Sequence, residues 1–452
     1  MGLLFGTDGV RGVANTELSP ELAFKLGRAG AYILTEATGL RSIIIGRDTR
    51  LSGDMLEAAL VAGICSVGVD VLRVGVIPTP AVAYLTRALE AGGGVVISAS
   101  HNQFADNGIK FFGANGYKLS DELESRIEEM VLDPGTVFPL PTGAELGRVR
   151  DITDAPERYI RYAASTGPGS LSGLRVVVDC ANGAACTVAP QLFAGLGATV
   201  IPVHNSPDGT NINVNCGSTN PATLQEAVLA EGADLGLAFD GDADRLIAVD
   251  EKGGIVDGDF IMVACALYLQ ERGMLRDRTL VTTVMSNMGL HIALREAGIH
   301  IEITKVGDRY VLEEMLRCNA SLGGEQSGHI IFGDYATTGD GIITALQLLK
   351  VMRDTGRPLS ALAAQMERLP QVLRNVRVKN KDRVMTSPLL DSAISAQQYS
   401  LNGQGRILVR PSGTEPLVRV MVEGRDETLM MRIVEDLVNL VGRLDSEEGG
   451  GT

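Results

Sequence analysis

The sequence predicts a multidomain α/β protein: three related α/β domains with mixed, largely parallel sheets, followed by a smaller C-terminal α+β domain. Three observations carry this expectation. Short β-branched runs alternate with helical stretches, the pattern of parallel strands covered by helices. The segments R-S-I-I-I-G (41–46), R-V-V-V-D (175–179) and T-L-V-T-T-V (279–284) each lead through a polar turn into a helix, then to a second strand at 69–74, 199–203 and 299–303. Repeated strand-helix-strand units have that spacing. After Leu369 the pattern changes to strands at 372–379, 406–410 and 417–423, with a helix over 427–443.

A chain of 452 residues exceeds what one hydrophobic core serves, so three or four units are expected. Pro and Gly punctuate the chain near 150, Gly253 and Gly254 form a turn, and the character changes near 368. These points divide the chain into 1–150, 151–254, 255–368 and 369–452. The longest apolar candidate, 260–269, falls short of the roughly 18 residues of a membrane span. The start, M-G-L-L-F-G-T-D-G-V-R-G, has neither a basic leader nor a long apolar region, and the cysteines are scattered without a C-x-x-C pair. Reduced thiols and a cytoplasmic location are therefore expected. A net charge of −15 argues against nucleic acid, whose binding needs a basic footprint, and an anionic substrate would need a local basic cluster.

The loop D-G-D-A-D-R (240–245) lies between two apolar strand-like runs. Alternate aspartates in a tight loop place three hard oxygen donors, Asp240, Asp242 and Asp244, around one cation such as Mg²⁺. An EF-hand would need glycine where Arg245 stands, and helices where the flanks read as strands. Arg245 is left to reach a substrate phosphate. The loop S-A-S-H-N-Q-F-A-D-N-G-I-K (98–110) follows a strand and offers a serine phosphoryl carrier, with His101 beside it and Lys110 in the same loop. An N-cap serine with a structural histidine is the competing reading.

In R-P-S-G-T-E-P (410–416), backbone amides, two hydroxyls and a guanidinium converge on an anion, with Arg410 suited to bidentate phosphate binding; a plain hairpin connection is the alternative. The loop G-G-E-Q-S-G-H (323–329) exposes Glu325, Ser327 and His329 as hydrogen-bonding groups of the kind sugar hydroxyls require, or is a tight polar turn. G-T-D-G-V-R-G (6–12) and G-R-D-T-R (46–50) are weaker signals that match neither a P-loop nor a dinucleotide fingerprint.

Taken in order, these loops resemble those of the α-D-phosphohexomutase superfamily over nearly the full length. The resemblance implies four domains around one central cleft, contributing the phosphoserine, metal, sugar and phosphate loops. It implies Ser100 as the phosphoserine and, with the three aspartates, a Mg²⁺ ligand. It also implies Lys110 as general acid or base, and Arg11, His101 and Arg245 as support for the reacting phosphoryl group. Lys305, Glu325, Ser327 and His329 would bind the sugar, while Arg410, Ser412, Gly413, Thr414 and Arg419 would bind phosphate. Two loops look like the amino-sugar forms of the superfamily. They imply exchange between glucosamine 6-phosphate and glucosamine 1-phosphate through a 1,6-bisphosphate, feeding amino-sugar nucleotides for cell walls. Glucosamine or glucose 1,6-bisphosphate would be the activator, a kinase or autophosphorylation the first source of phosphate on Ser100, and a homodimer the assembly. Glucose or mannose phosphate mutases, and a metal-dependent phosphatase, are the rival activities. Gln103 stands where relatives commonly carry proline, and Ala243 where they often carry glycine, which bears on loop rigidity and dihedral angles.

Overall fold

The computed structural model describes residues 4–6, 8–412 and 416–446. In the first sheet, β1 (Val10–Val13), β2 (Ser42–Arg47), β3 (Asp70–Val76), β4 (Gly93–Ile97), β5 (Asp106–Gly113) and β6 (Val149–Asp151) lie in the order β1-β5-β4-β2-β3-β6. Parallel pairing joins β4, β2, β3 and β6, and β5 turns back antiparallel on β4. The second sheet contains β7 (Arg175–Asp179), β8 (Thr199–Val203), β9 (Leu235–Phe239), β10 (Leu246–Asp250) and β11 (Ile255–Val256), in the order β11-β10-β9-β7-β8. The third has β12 (Thr279–Thr283), β13 (His300–Thr304), β14 (Leu322–Gly324) and β15 (Ile330–Phe332), in the order β13-β12-β14-β15.

One plan therefore recurs three times. A central strand (β2, β7 or β12) has a parallel neighbour on each side, and the second of these (β4, β9 or β14) leads through a hairpin into an antiparallel return strand. The repeat read from the sequence is thus real. The cause is burial. Ile43, Ile44, Ile45 and Val176, Val177, Val178 are inaccessible on both sheet faces, so the central strands read as continuous apolar runs. Helices cover these faces, as Pro20–Thr38 does with Ala23, Leu26, Ile33 and Leu34 inward. Ser19 starts that helix by accepting the Leu22 N–H, and Gly39 ends it at φ 73.

The chain divides into two compact units. One holds the three sheets above; the other comprises Ser286–Ala297 and the chain from Met366 on. In the latter, β16 (Gln371–Arg377), β17 (Gly405–Pro411) and β18 (Leu417–Gly424) form an antiparallel sheet in the order β16-β18-β17. Helix Glu427–Ser446 presents Met430, Ile433, Val434, Leu437 and Val441, a stripe at helical spacing, to Val418, Val420 and Val422. Truncating Leu437 to alanine in this core would cost about 2–5 kcal/mol.

Candidate active site

All three hairpins that end the repeated plan carry chemistry. Ser100 lies between β4 and β5, the aspartate triad between β9 and β10, and Glu325 and His329 between β14 and β15. Equivalent turns of one repeated topology are thereby brought to one place. A cavity of about 400 Å³ is lined by Ser100, His101, Arg11, Asp244, Arg245, Glu325 and His329, with Asp8, Gly307 and Asp308 also in its wall.

Ser100 is buried and sits at φ 50, a left-handed conformation that costs a non-glycine residue free energy. Buried polar side chains hold the loop there. Arg50, fully buried, donates to the carbonyls of Ser100 (2.9 Å), Asn102 (2.8 Å), Asp106 (3.0 Å) and Gln103, and from Nε to Asp48 Oδ2 (2.8 Å). Asn213 Nδ2 donates to the same Ser100 and Asn102 carbonyls, and the Ser100 N–H donates to Ser98 Oγ. The rigidity that a proline at Gln103 would supply through its ring comes here from Arg50 gripping the carbonyl of Gln103.

Ser100 Oγ donates to Asp240 Oδ2 at 2.6 Å, and His101 Nδ1 lies 3.4 Å from that hydroxyl. Burial, with Arg245 and Arg11 close by, brings His101 down to about 4, so its imidazole is neutral at neutral pH. Carboxylate oxygens of Asp240, Asp242 and Asp244 all lie within 4.8 Å of one another. Burial, then the charges of Asp244 and Asp242, push Asp240 well above the usual carboxylate range. Asp244 rises through burial and Asp242. Asp242 differs: burial opposes its ionisation, but Lys110 and hydrogen bonds from Thr79 and Lys110 outweigh it and hold it low. Three buried carboxylates this close repel one another unless a cation neutralises them. Asp242 Oδ1 and Asp244 Oδ1 are buried and accept no hydrogen bond from the described residues. An all-oxygen set with such orphaned atoms fits a hard divalent metal ion. The strands on both sides of the triad exclude the EF-hand alternative. Ala243 is at φ 57, the left-handed turn that a glycine would adopt without strain.

Lys110 is a correction to the sequence reading. It is not in the serine loop but on β5, paired with Val96 of β4, because the antiparallel return strand begins at Asp106. Its Nζ lies 3.0 Å from Asp242 Oδ2 and 2.9 Å from Asp8 Oδ2. Burial works against its charge, yet Asp242 and Asp8 prevail, and it is held above its ordinary value as a cation. Arg11 pairs with the same Asp8 and points toward the Ala99 carbonyl.

In the β14–β15 hairpin, Glu325 Oε1 accepts the Gly307 N–H at 3.0 Å, and His329 Nε2 lies 3.9 Å from Asp244 Oδ2. Gly328 at φ 92 lets the turn press against the Leu246 backbone, where a Cβ would stand 2.1 Å from the carbonyl oxygen. Ser327 Oγ is buried without a hydrogen-bond partner among the described residues, and does not line the cavity. Lys305 is exposed, with its ammonium 6.0 Å from the Tyr310 ring centre, and is likewise outside the cavity lining.

The C-terminal unit carries its own cationic feature. Arg410 on β17 stands directly opposite Arg419 on β18, and burial, then Arg419, lower the Arg410 pKa. Like charges directly opposed across strands are unfavourable unless an anion joins them. Ser412 is buried, and its carbonyl accepts from Lys381 Nζ at 2.7 Å. Gly413 and Thr414, expected in the same loop, lie outside the described residues.

Sequence reasoning missed Asp8, Arg50, Thr79, Lys118, Asn213 and Asp308. Asp8 and Arg50 fall in the two glycine-rich loops rated weak, where a charged residue inside a loop abutting an apolar strand was the available signal. In a second mixed cluster, Asp179, His204 and Cys216, both Asp179 oxygens already accept, from the Ala181 and Gly217 N–H groups, and His204 Nδ1 lies 3.1 Å from Asp179 Oδ1.

Comparison with known proteins assigns the family. Phosphoglucomutase/phosphomannomutase α/β/α domains I, II and III match residues 2–135, 157–254 and 257–369, and the C-terminal domain of that family matches 373–440. The phosphoglucosamine mutase of Desulforudis audaxviator is 70% identical over 450 residues, covering 100% of both chains. The chain belongs to the phosphoglucosamine mutase family. The phosphoglucosamine mutase of Pelotomaculum thermopropionicum is 64% identical, over 98% of this chain and 100% of its own. Among solved structures, a phosphoglucomutase/phosphomannomutase family protein from Burkholderia thailandensis superposes with a TM-score of 0.81 at 25% identity, over 98% of each chain. The N-acetylphosphoglucosamine mutase of Aspergillus fumigatus, in complex with GlcNAc-6P and magnesium, shares the fold at TM-score 0.71 and 18% identity, over 99% of this chain and 96% of that one. No helix among the described residues is long and apolar enough to cross a membrane.

Proposed function

We propose that this member of the family interconverts glucosamine 6-phosphate and glucosamine 1-phosphate, with Ser100 as the phosphoryl carrier. The observation that carries the reading is the short bond from Ser100 Oγ to Asp240, inside a ring of carboxylates and beside the buried cation Lys110. Phospho-Ser100 gives its phosphoryl group to O1 of glucosamine 6-phosphate, and the serine Oγ–P bond breaks as the O1–P bond forms. The resulting 1,6-bisphosphate turns over in the cavity and returns its 6-phosphate to Ser100, leaving glucosamine 1-phosphate.

Lys110 is protonated when it meets the substrate, so it hands its proton to the serine oxygen as that oxygen leaves, and the sugar hydroxyl proton returns to it. Arg11 and Arg245, both in the cavity wall, hold phosphoryl oxygens. Neutral His101 orients the Ser100 oxygen. Ser100, Asp240, Asp242 and Asp244 would hold Mg²⁺, which when bound supplies neutralisation of charge on the phosphoryl group. Glu325 and His329 take the sugar hydroxyls, with Ser327 and Lys305 in support. Arg410, Arg419, Ser412, Gly413 and Thr414 hold the phosphate that is not being transferred. Free glucosamine or glucose 1,6-bisphosphate would reload a Ser100 that has lost its phosphate. The division at 150, 254 and 368 is supported by each sheet lying mainly within one interval, with β6 (149–151) straddling the first boundary and β11 (255–256) falling just past the second.

Two measurements test the reading. Intact mass and peptide mapping of the purified protein should find phosphate on Ser100, and Ser100→Ala should abolish turnover; near-normal turnover of that variant would remove Ser100 from the mechanism. A coupled assay should find kcat/KM for glucosamine phosphate at least about tenfold above that for glucose phosphate, since a site matched to an amine leaves a buried polar group unpaired with glucose. Equal or better use of glucose or mannose phosphate would favour the rival mutase activity, and release of free phosphate the phosphatase.

A further inference from the structure

Lys118 follows the end of β5, where the turn 113–117 folds back and pairs Lys118 with Phe112. Its side chain is largely buried, 14% exposed, and its ammonium donates at once to Asp8 Oδ1 and Asp308 Oδ2, themselves 19% and 17% exposed. Neither contact is local, since Asp8 and Asp308 lie 110 and 190 positions away in the chain.

What those two carboxylates do next gives the contact its meaning. The other oxygen of Asp8 lies 2.9 Å from Lys110 Nζ, and Lys110 is 3.0 Å from Asp242. Asp308 opens the helix Asp308–Arg317, accepting the Arg309 N–H at 2.7 Å, and the residue before it, Gly307, holds Glu325. Asp308 Oδ2 also lies 3.7 Å from His329 Nε2, which is 3.9 Å from Asp244. A run of paired side chains therefore passes from Asp242 through Lys110, Asp8 and Lys118 to Asp308, and the His329 ring, which makes no hydrogen bond to the described residues, stands between Asp308 and Asp244. Lys118 is the member that joins the part of this run from the first sheet to the part from the third. The same turn is bonded a second time to the chain of the third sheet, Thr337 Oγ1 after β15 donating to the Gly116 carbonyl.

The geometry points to Lys118 as a positioning residue for phosphoryl transfer: by clamping Asp8 and Asp308 together it sets Lys110 against the serine and Glu325 against the sugar in one register. Lys118 touches no reacting atom. Without it, Asp8 and Asp308 face each other as buried carboxylates, and Asp8 swings with Lys110 in tow. A misplaced acid–base group lowers the rate of the chemical step far more than it lowers substrate capture. The inference rests on the mutase reading, and its test is a ratio between variant and wild type, measured with whichever hexose phosphate the wild-type enzyme turns over. An error in the assigned sugar would show in the wild type and leave that ratio intact.

Lys118→Met keeps the length of the side chain and removes its charge. Its kcat should fall at least about tenfold with KM within about threefold of wild type, and Lys118→Arg should recover most of the loss. Asp308→Asn, which leaves the Lys118–Asp8 pair in place, should lower kcat in the same direction. The double variant should lose less than the product of the two single losses, since both break one contact. Circular dichroism and thermal melts establish that each variant is folded; if Lys118→Met is not, Asp308→Asn decides alone. A kcat within about twofold of wild type in the folded variant, a loss confined to KM, or independent losses in the double variant would overturn the proposal.

Discussion

Ser100 Oγ and Asp240 Oδ2 lie 2.6 Å apart although 140 positions separate them in the chain. The bond joins the hairpin that ends the first sheet plan to the equivalent hairpin of the second. In the proposed reading it sets the serine that would carry the phosphoryl group against the carboxylates that would hold the cation.

The triad should be the seat of metal dependence. Chelation should abolish activity, with recovery on adding Mg²⁺, and Asp242→Asn should lower kcat/KM by about a hundredfold or more, since it removes the negative charge that would face the metal ion and that pairs with Lys110. Steady-state kinetics across a magnesium titration check this. Full activity in chelator would rule out a metal at the triad.

Arg50 should matter for both stability and rate. It is fully buried, pairs with buried Asp48 and holds four carbonyls of the serine loop. Arg50→Met leaves Asp48 uncompensated and should cost about 3–5 kcal/mol by denaturant unfolding. In whatever fraction folds, the strained Ser100 conformation should relax and turnover should fall. A variant with wild-type stability would contradict the role assigned to Arg50.

Arg410 should act mainly on capture. Loss of a charge-assisted pair of hydrogen bonds corresponds to about 10–100-fold in kcat/KM for Arg410→Ala. Some of that loss should appear in kcat, because binding energy remote from the reacting end also positions it. Equal kinetics in variant and wild type would remove the clamp.

Asp340 should give stability a pH dependence of unusual sign. Burial raises its pKa to about 6, against the opposing hydrogen bonds from the Ile343 N–H and the Tyr159 hydroxyl. A carboxyl whose folded pKa lies above its unfolded value near 3.9 stabilises the fold below about pH 4. That contribution is lost as pH rises through about 6, and the two-unit shift corresponds to about 3 kcal/mol. Asp340→Asn keeps the helix cap without the charge. Thermal melts between pH 4 and 7 should show the variant gaining on the wild type as pH rises; a constant difference would mean that Asp340 does not titrate there.

Much of the architecture and the heart of the site are legible in the sequence because their signals are short-range. Apolar runs bounded by polar turns mark buried central strands, and they do so three times at a similar spacing. Three aspartates at alternate positions of one turn can face one cation whatever surrounds them. The serine loop and Arg410 stand out in the same way. Lys110 was misplaced because a lysine twelve residues past a loop's start reads as loop until the return strand's register is known. Lys118 and Asp308 carried no local mark at all, and Asp8 only its place in a weakly marked glycine-rich loop. Each is a charged residue in or beside a turn, where the expectation is solvent. Local periodicity determines which residues enter strands and helices. Whether a charge at a turn ends in water or in a buried ion pair depends on which distant segment the fold brings against it, and that only the packing of the first sheet's segments against the third's decides.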